Sequence, residues 1–305
     1  MCGTRKRPAP LSLLGASLLT LAALLAAPAA EARTKAGRSA SKTAATVTVD
    51  YDIALAGLTI GNAQVAGAFE GSGYRMDVSA RLTGLAGVVT GGMGSARASG
   101  AIAAAPQPNT FAIATKTTNS GIAVRMALAR GTVTQAEITP PLVDMGDRVP
   151  ITPANKRGVI DPASALMMPV QGRADPMDPA NCNRTLPIFD GATRFDVVLS
   201  YGETRSVAKP GYSGPVLVCN ARYTPIAGHR PDRPGVKFME DNREMSVWLA
   251  PVEGTRVLLP VRIAVRTTVG TNIIEATRWT QTGGQQGSTT VSAPSNPVTQ
   301  ASLAQ

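Results

Sequence analysis

Residues 46–55 read Thr-Val-Thr-Val-Asp-Tyr-Asp-Ile-Ala-Leu, with a large apolar side chain at nearly every second position. Because successive side chains of a β-strand point to opposite faces, this alternation predicts a strand with one buried face. Ala56-Gly57 follows directly and supplies a glycine where a tight turn needs a positive φ angle. The first periodic segment of the chain is therefore predicted to be the opening strand of a hairpin.

The same alternation returns in four further segments, which are residues 74–82, 122–128, 195–201 and 257–265. Short glycine-containing connections separate many of the predicted strands, and Asp190-Gly191 is the strongest turn signal because this pair suits a type I′ hairpin. We expect that hairpin to join residues 184–189 to residues 193–201. Strands at this spacing, without helices between them, are typical of an antiparallel meander.

Helical signals are scarce. Asp161-Pro162 predicts the start of a short helix over residues 163–168, which Pro169 ends, and Pro234-Gly235 predicts a second over residues 236–242. Residues 85–105 are rich in glycine and alanine and fit a short helix before a weak strand. The predicted fold class is all-β, a strongly curved antiparallel sheet that forms an open barrel or β-spiral with one or two short helices.

The proline-rich residues 139–181 fit either a boundary between two β halves or an excursion from one continuous sheet. We favour a single β domain over residues 46–280, because the C-terminal half has only five or six predicted strands of its own. Residues 281–305 contain no charged residue and are rich in Gln, Ser, Thr, Gly and Pro. That composition predicts a disordered tail.

Residues 1–32 have the order of an export signal: a basic start at Arg5, Lys6 and Arg7, an apolar stretch, and then Ala30-Glu31-Ala32. A membrane-spanning helix is the alternative, but the apolar run is alanine-rich and at the lower limit for a span of roughly 20 residues. We predict cleavage before Arg33, a basic disordered arm over residues 33–45, and a periplasmic mature chain with no transmembrane segment.

Part of the positive charge of the chain lies in the predicted leader. The formal net charge is +10, from 30 basic and 20 acidic residues; the leader holds three of the basic residues and one of the acidic ones, so the mature chain has a charge of +8. Export, sparse aromatic residues and the lack of a basic–aromatic motif argue against nucleic acid as a partner.

Two cysteines remain after cleavage, Cys182 and Cys219. An even pair in an exported chain predicts one disulfide. A redox-active pair is the alternative, and the pair lacks the Cys-x-x-Cys spacing that would favour it. A cross-link over this separation is expected to stabilise the fold by at most about 3–4 kcal/mol.

Candidates for catalysis are few. His229 is the only histidine and lies in a proline-rich polar loop, which predicts a structural role because catalytic triads and most zinc sites need histidine in a defined cluster. Asp50 and Asp52 share a strand face and could act as paired carboxylates, but a solvated face explains them better. Gly91-Gly92-Met93-Gly94 lacks the remainder of a phosphate loop. We predict no catalytic residue, no cofactor and no metal site.

One segment resembles a known family. Cys182-Asn183-Arg184-Thr185-Leu186-Pro187-Ile188-Phe189-Asp190-Gly191 is its most specific part, with Gly214-Pro215-Val216-Leu217-Val218-Cys219 further on. Residues 222–229, 242–245 and 51–61 extend the match, which is to exported proteins of the "domain of unknown function 3108" family. The resemblance implies a periplasmic, mostly β protein without an agreed activity. A more distant likeness is to envelope-integrity proteins that form a spiral β-sheet with one disulfide.

These observations predict a non-enzymatic periplasmic protein that supports the cell envelope by binding a partner on its curved sheet. The partner would be an envelope protein, peptidoglycan or lipid. One alternative is a carrier of lipid or lipoprotein, which an apolar cavity larger than side chains can fill would favour. The other is a hydrolase built on carboxylates, which two acidic groups facing each other in a cleft would favour.

Overall fold

The computed structural model describes residues 44–143 and 146–283. The predicted leader, most of the predicted arm and residues 284–305 lie outside the described residues. Almost all of the regular structure is strand, so the predicted all-β class is confirmed. The strands are β1 (Ala44–Leu55), β2 (Leu58–Glu70), β3 (Gly73–Leu82), β4 (Met93–Ile102), β5 (Pro106–Lys116), β6 (Gly121–Ala129), β7 (Thr132–Thr139), β8 (Met168–Pro169), β9 (Arg184–Phe189), β10 (Arg194–Lys209), β11 (Tyr212–Ala227), β12 (Met245–Val252), β13 (Val257–Thr267) and β14 (Gly270–Thr282).

Two short α-helices accompany the strands, α1 (Gly84–Thr90) and α2 (Pro234–Asp241). The second confirms the predicted helix after Pro234, since Pro is tolerated in the first turn of a helix. The helix predicted over residues 163–168 is wrong in type: only a 3₁₀ turn forms, over Ser164–Leu166. Neither α-helix, in the part of the chain that the structure describes, has the length and apolarity needed to cross a bilayer.

All strands lie in one antiparallel sheet. Its order is β7-β6-β5-β4-β3-β2-β1-β14-β13-β12-β11-β10-β9, and β8 pairs separately with β13. β1 therefore lies inside the sheet, between β2 and β14, and Thr46 is opposite Thr282. Val47, Val49 and Tyr51 of β1 are buried, as the alternation predicts. The strand pairing begins two residues before the predicted start at 46 and ends two residues after the predicted end at 280.

The hairpin turns follow the glycine signals with one difference. Ala56 (φ 51°) and Gly57 (φ 84°) both have positive φ angles, as a type I′ turn between β1 and β2 requires. At Asp190-Gly191 only the glycine does, with φ 100°. The Asp190 carboxylate accepts hydrogen bonds from the backbone N–H groups of Ala192 (2.8 Å) and Thr193 (2.6 Å), so the connection is a longer loop than the predicted type I′ turn.

The two outer strands of the sheet, β7 and β9, do not pair with each other. Residues 157–160 run between them instead. The Val159 N–H donates to Gly131 O (2.9 Å) at the start of β7, and the Ile160 N–H donates to Pro187 O (2.9 Å) of β9. Phe189 N–H then donates back to Ile160 O at 2.9 Å. A short piece of the proline-rich excursion thus bridges the two edges of the curved sheet.

The hairpin of β10 and β11 extends well past its neighbours. β9 pairs with β10 only as far as Leu199, and β12 pairs with β11 only over residues 217–220. The remaining two-stranded part, residues 205–216, is here called the β10–β11 extension. A Cβ atom added at Gly211 in its turn would lie 1.8 Å from Ala276 O, so the tip of this extension contacts β14 closely enough to require glycine.

Cationic side chains hold the β10–β11 extension on the sheet. Trp248 of β12 lies under three cations, with the Arg205 and Arg262 guanidinium carbons 4.9 and 5.3 Å and Lys209 Nζ 5.6 Å from the ring centroid. Lys209 also forms an ion pair with Glu275 of β14, which Arg262 reaches at 2.8 Å. Burial raises the pKa of Glu275, but the hydrogen bonds and charges of Lys209 and Arg262 outweigh it and lower that pKa.

The predicted disulfide is present. Cys182 and Cys219 are bonded, with their Cα atoms 5.4 Å apart, and both are fully buried. The bond joins the end of the proline-rich excursion to β11, and it lies in a hydrophobic cluster that also contains Leu199, Leu217 and Leu249.

Replacing Cys219 by serine should lower the free energy of unfolding by up to about 3–4 kcal/mol, because the unfolded chain regains the freedom that the cross-link removes. Urea denaturation of oxidised protein measures this loss. Cys182→Ser and the double variant should show about the same loss, since either change removes the whole cross-link. Equal unfolding free energies for wild type and Cys219→Ser would contradict the assignment of a stabilising role to this bond.

Candidate functional site

An apolar pocket of about 230 Å³ lies between the sheet and the proline-rich excursion. Strands β9 to β13 form its floor and residues 162–168 form its wall. Ser246 is the only lining residue with a polar side chain. The lining residues are Pro162, Ala165, Leu166, Met168, Leu186, Ile188, Val197, Leu199, Ala221, Met245, Ser246, Val247, Leu249, Pro260, Ile263, Ala264 and Val265.

Strand register creates the floor. Met245, Val247 and Leu249 point to one face of β12 because they are two residues apart. Val247 is opposite Ile263, and Met245 is opposite Val265. On the other side, Leu186 of β9 is opposite Val197 of β10. Five strands thus present aliphatic and thioether side chains on one face, and several of these side chains, such as Val197 and Val265, keep part of their surface exposed.

The same face continues toward β1. Ile274 of β14 is opposite Ile263, and Ile53 of β1 is opposite Ile274. Leu217 and the disulfide are fully buried in the hydrophobic cluster against which Val197, Met245 and Val247 of the floor pack. The floor is therefore supported by a packed layer and a covalent cross-link, which restricts the ways in which the pocket can collapse.

A buried carboxylate organises the wall. Asp161 is fully buried, and its Oδ1 accepts hydrogen bonds from the backbone N–H groups of Ala163 (3.0 Å) and Ser164 (2.9 Å). Its Oδ2 accepts one from the Ser164 hydroxyl at 2.5 Å. These bonds cap the turn that starts the 3₁₀ segment, as the side chain of a helix N-cap does. The segment stays short because Met168 and Pro169 pair with β13.

The wall is also tied to the distant half of the sheet. Ser164 Oγ and the Tyr74 hydroxyl of β3 are 2.6 Å apart, and both residues are buried. Burial raises the pKa of Tyr74, an effect only partly offset by the hydrogen bond to Ser164. Burial also raises the pKa of Asp161, although its hydrogen bonds to Ser164 and Ala163 act in the opposite direction. The network positions Pro162, Ala165 and Leu166 against the floor.

The candidates from the sequence do not gather in the pocket. The carbonyl of His229 accepts a hydrogen bond from the Val149 N–H (2.9 Å), and the imidazole Nδ1 is buried without a hydrogen-bond partner among the described residues. Its neighbour Arg230 pairs with Asp147 at 2.6 Å. The loop is thus anchored through its backbone and an ion pair, and the imidazole contacts no carboxylate within the described ranges.

The paired carboxylates are separated by their partners. Asp50 accepts a hydrogen bond from Gln64 Nε2 (2.7 Å) and lies 3.8 Å from Arg278 Nε, whereas Asp52 is exposed. They form no facing pair in a cleft. Residues 44–143 and 146–283 also contain no group of three or more His, Cys, Asp or Glu side chains that could hold a metal ion.

Sequence reasoning missed the pocket and the network around Asp161. Asp161 was interpreted only as a helix cap, and Tyr74 only as one apolar position of a strand. The pocket has no local signal, because its lining comes from five strands and one excursion. The alternation in residues 195–201 and 257–265 predicted the floor strands but not which residues face each other across them.

Comparison with known proteins matches the chain to one family of unknown function. The model of the family described as "Protein of unknown function (DUF3108)" matches residues 50–277. A solved structure described as "Crystal Structure of Beta-barrel-like Protein of Domain of Unknown Function DUF1849 from Brucella abortus" is similar with a TM-score of 0.42 and 10% sequence identity, over 79% of this chain and 98% of that chain. A search of curated proteins returns no match. The more distant likeness to envelope-integrity proteins stays a prediction.

Asp161→Asn should change how stability depends on pH. Because burial raises the pKa of Asp161 in the folded state, its favourable contribution is complete below the unfolded pKa of about 4 and is lost as the pH rises. The free energy of unfolding of wild type should therefore fall relative to Asp161→Asn as the pH rises from about 3 toward neutrality. Urea denaturation over that range measures the difference, with Asp52→Asn as the exposed control. A difference that is constant with pH, or that grows in favour of wild type, would contradict the prediction.

Proposed function

The chain belongs to the DUF3108 family of proteins of unknown function, and we propose that it is a non-enzymatic periplasmic protein that binds the aliphatic chain of an envelope lipid or lipoprotein. The observation that carries the proposal is the pocket of about 230 Å³ with a single polar side chain in its lining. An unfilled apolar pocket is the feature that separates a carrier from a protein that binds only on its outer surface.

The size and chemistry of the pocket limit the occupant. Ligand pockets usually start at roughly 300 Å³, so this space suits a segment of one aliphatic chain and leaves the headgroup outside. Nearly all of the lining is aliphatic or thioether, and methionines such as Met168 and Met245 adapt to chains of different shape. An apolar chain gains about 0.8 kcal/mol for each buried methylene, which is sufficient for affinity without polar contacts.

The surroundings of the pocket favour binding over catalysis. Asp161 precedes Pro162 of the wall, and both of its carboxylate oxygens accept hydrogen bonds from Ala163 or Ser164. It is fully buried and is not among the lining residues. The disulfide supports the floor, and both of its cysteines are fully buried. This favours a structural role over redox chemistry.

Adjacent residues on β10 provide a matched test of binding. Val197 lines the pocket, and Val198 points to the opposite face with 39% of its surface exposed. Val197→Phe should fill the pocket and weaken binding of the fluorescent fatty acid cis-parinaric acid by about tenfold or more, the equivalent of roughly two lost methylene contacts. Val198→Phe should bind the probe like wild type. Fluorescence titration measures the affinity of both variants for the probe, after thermal unfolding has shown that both are folded.

Equal probe affinity for Val197→Phe and Val198→Phe would overturn the assignment of this pocket. Native mass spectrometry of protein purified from the periplasm provides a second measurement that needs no probe. It should show added mass that organic extraction removes, and that mass should be depleted in Val197→Phe.

His229→Ala should leave the cellular role intact, because His229 does not line the pocket and its Nδ1 has no hydrogen-bond partner among the described residues. Asp50→Asn should also be tolerated, since within the described residues its carboxylate accepts a hydrogen bond from Gln64 and pairs with Arg278. Complementation of a deletion strain at matched expression measures both. If His229→Ala fails while the protein remains folded and abundant, the non-enzymatic proposal is wrong.

A further inference from the structure

One end of the sheet exposes large aliphatic side chains. They belong to the turns between β13 and β14, between β1 and β2, and between β5 and β6, the α1 connection between β3 and β4, and the exit from β7, which are here called the rim. The β9–β10 turn and the β11–β12 connection lie at the same end of the sheet, outside the rim. Leu58 is 73% exposed, Val269 is 70% exposed and Met93 is 57% exposed. Val143, just after β7, is 75% exposed, and Leu142 and Ile122 are also exposed.

The rim residues are neighbours in space through the strand order. The Ala56 N–H donates to Thr271 O at 3.0 Å, which joins the turn that carries Leu58 to the turn that carries Val269. Leu58 and Val269 are on hairpins only one strand apart, so they lie roughly 10 Å from each other. Met93 follows two strands further along the same end. Six of the nine exposed large apolar side chains belong to the rim.

The charges at the rim have one sign. Residues 55–58, 82–93, 116–121, 139–143 and 267–270 contain no acidic residue, and Lys116 is their only charged side chain. Arg81 and Arg266 lie directly behind the tips of β3 and β13, and both are exposed. The turns at the opposite end of the same strands differ, because they contain Glu70, Arg130 and Glu253. At the rim's own end, the β9–β10 turn contains Asp190, and the β11–β12 connection contains acidic and basic residues, among them Glu244 beside Arg266. The apolar tips without acidic residues are therefore confined to the rim.

We propose that the rim docks on the surface of a phospholipid bilayer. The aliphatic tips enter the boundary between headgroups and acyl chains, where their exposure to water ends. Lys116, Arg81 and Arg266 then stand at the depth of the lipid phosphates, and an anionic surface attracts them. A protein partner with a matching apolar patch would also cover the tips, but the lack of acidic residues over five connections fits an anionic surface specifically.

The rim and the pocket are separate surfaces, and one end of the pocket floor lies close to the rim. Met245 and Val265, at one end of the pocket floor, lie on β12 and β13 close to the turn that carries Val269. Docking by the rim would bring this end of the floor toward the acyl chains that we propose as its occupant. The docking inference does not depend on the pocket, because it rests on different residues.

Vesicle flotation with the mature chain tests the proposal. Wild type should float with vesicles of phosphatidylethanolamine and phosphatidylglycerol. The double variant Leu58→Asp/Val269→Asp should lose about tenfold or more of this partitioning, because it removes two buried aliphatic side chains and adds two like charges at an anionic surface. Val198→Asp/Tyr201→Asp changes two exposed residues within β10, away from the rim, and should float like wild type.

A charge variant separates the two parts of the proposal. Lys116→Glu/Arg266→Glu should weaken flotation with these anionic vesicles and have less effect on vesicles of phosphatidylcholine alone. Val197→Phe, which fills the pocket, should float like wild type, so loss of probe binding and loss of docking are distinguishable.

Two results would overturn the proposal. One is wild-type protein that fails to float with anionic vesicles. The other is a Leu58→Asp/Val269→Asp variant that floats as well as wild type while its thermal unfolding is unchanged. A rim that instead joins two copies of the chain would show as a dimer in wild type that these aspartates dissociate, with no flotation of either protein.

Discussion

The hydrogen bonds made by residues 157–160 are the constraint on which the rest of the structure depends. A sheet of this length has two edges with unpaired backbone groups, and an exposed edge invites pairing with other chains. Val159 and Ile160 satisfy part of both edges at once, at Gly131 just before β7 and at Pro187 of β9. Because the bridge lies in the excursion, it also fixes where residues 161–168 cross the sheet. The wall of the pocket is thus a consequence of closing the edges.

Apolar packing with the disulfide holds one end of the excursion, and a polar hydrogen-bond network holds the other. The bond from Cys182 to Cys219 and the leucines around it hold the far end of the excursion on β11. At the near end, Asp161, Ser164 and Tyr74 form a buried polar network that connects the excursion to β3. A buried polar network is costly unless its members are paired, and pairing makes its geometry specific. The space between the two anchors stays open because the backbone there is held at both ends.

How far the sequence predicts this structure depends on the range of the interactions. Local periodicity correctly indicated the strand at 46–55, and an N-terminal proline correctly indicated α2. Local signals failed where a distant strand binds the backbone, because pairing of Met168 and Pro169 with β13 leaves only a 3₁₀ turn in place of the expected helix. They also failed for β10, which continues to Lys209 although residues 202–206 are polar, because its partner β11 and the contacts of Trp248 stabilise it. Edge bridging, the pocket and the rim arise from register between distant strands, which no single segment encodes.

The position of β1 has a consequence for how the chain folds. One edge of β1 is filled by β2, after a two-residue turn, but the other edge is filled by β14, with Thr46 opposite Thr282. A chain made from its N-terminus onward can form the first meander early, whereas the second edge of β1 has to wait for the final strand. Closing a loop of that size carries a large entropic cost before its contacts are gained, so it is expected to be a slow step. Until β14 pairs, the second edge of β1 is an exposed sheet edge. The nascent chain is then most prone to aggregate at β1, the strand that lies at the centre of the finished sheet.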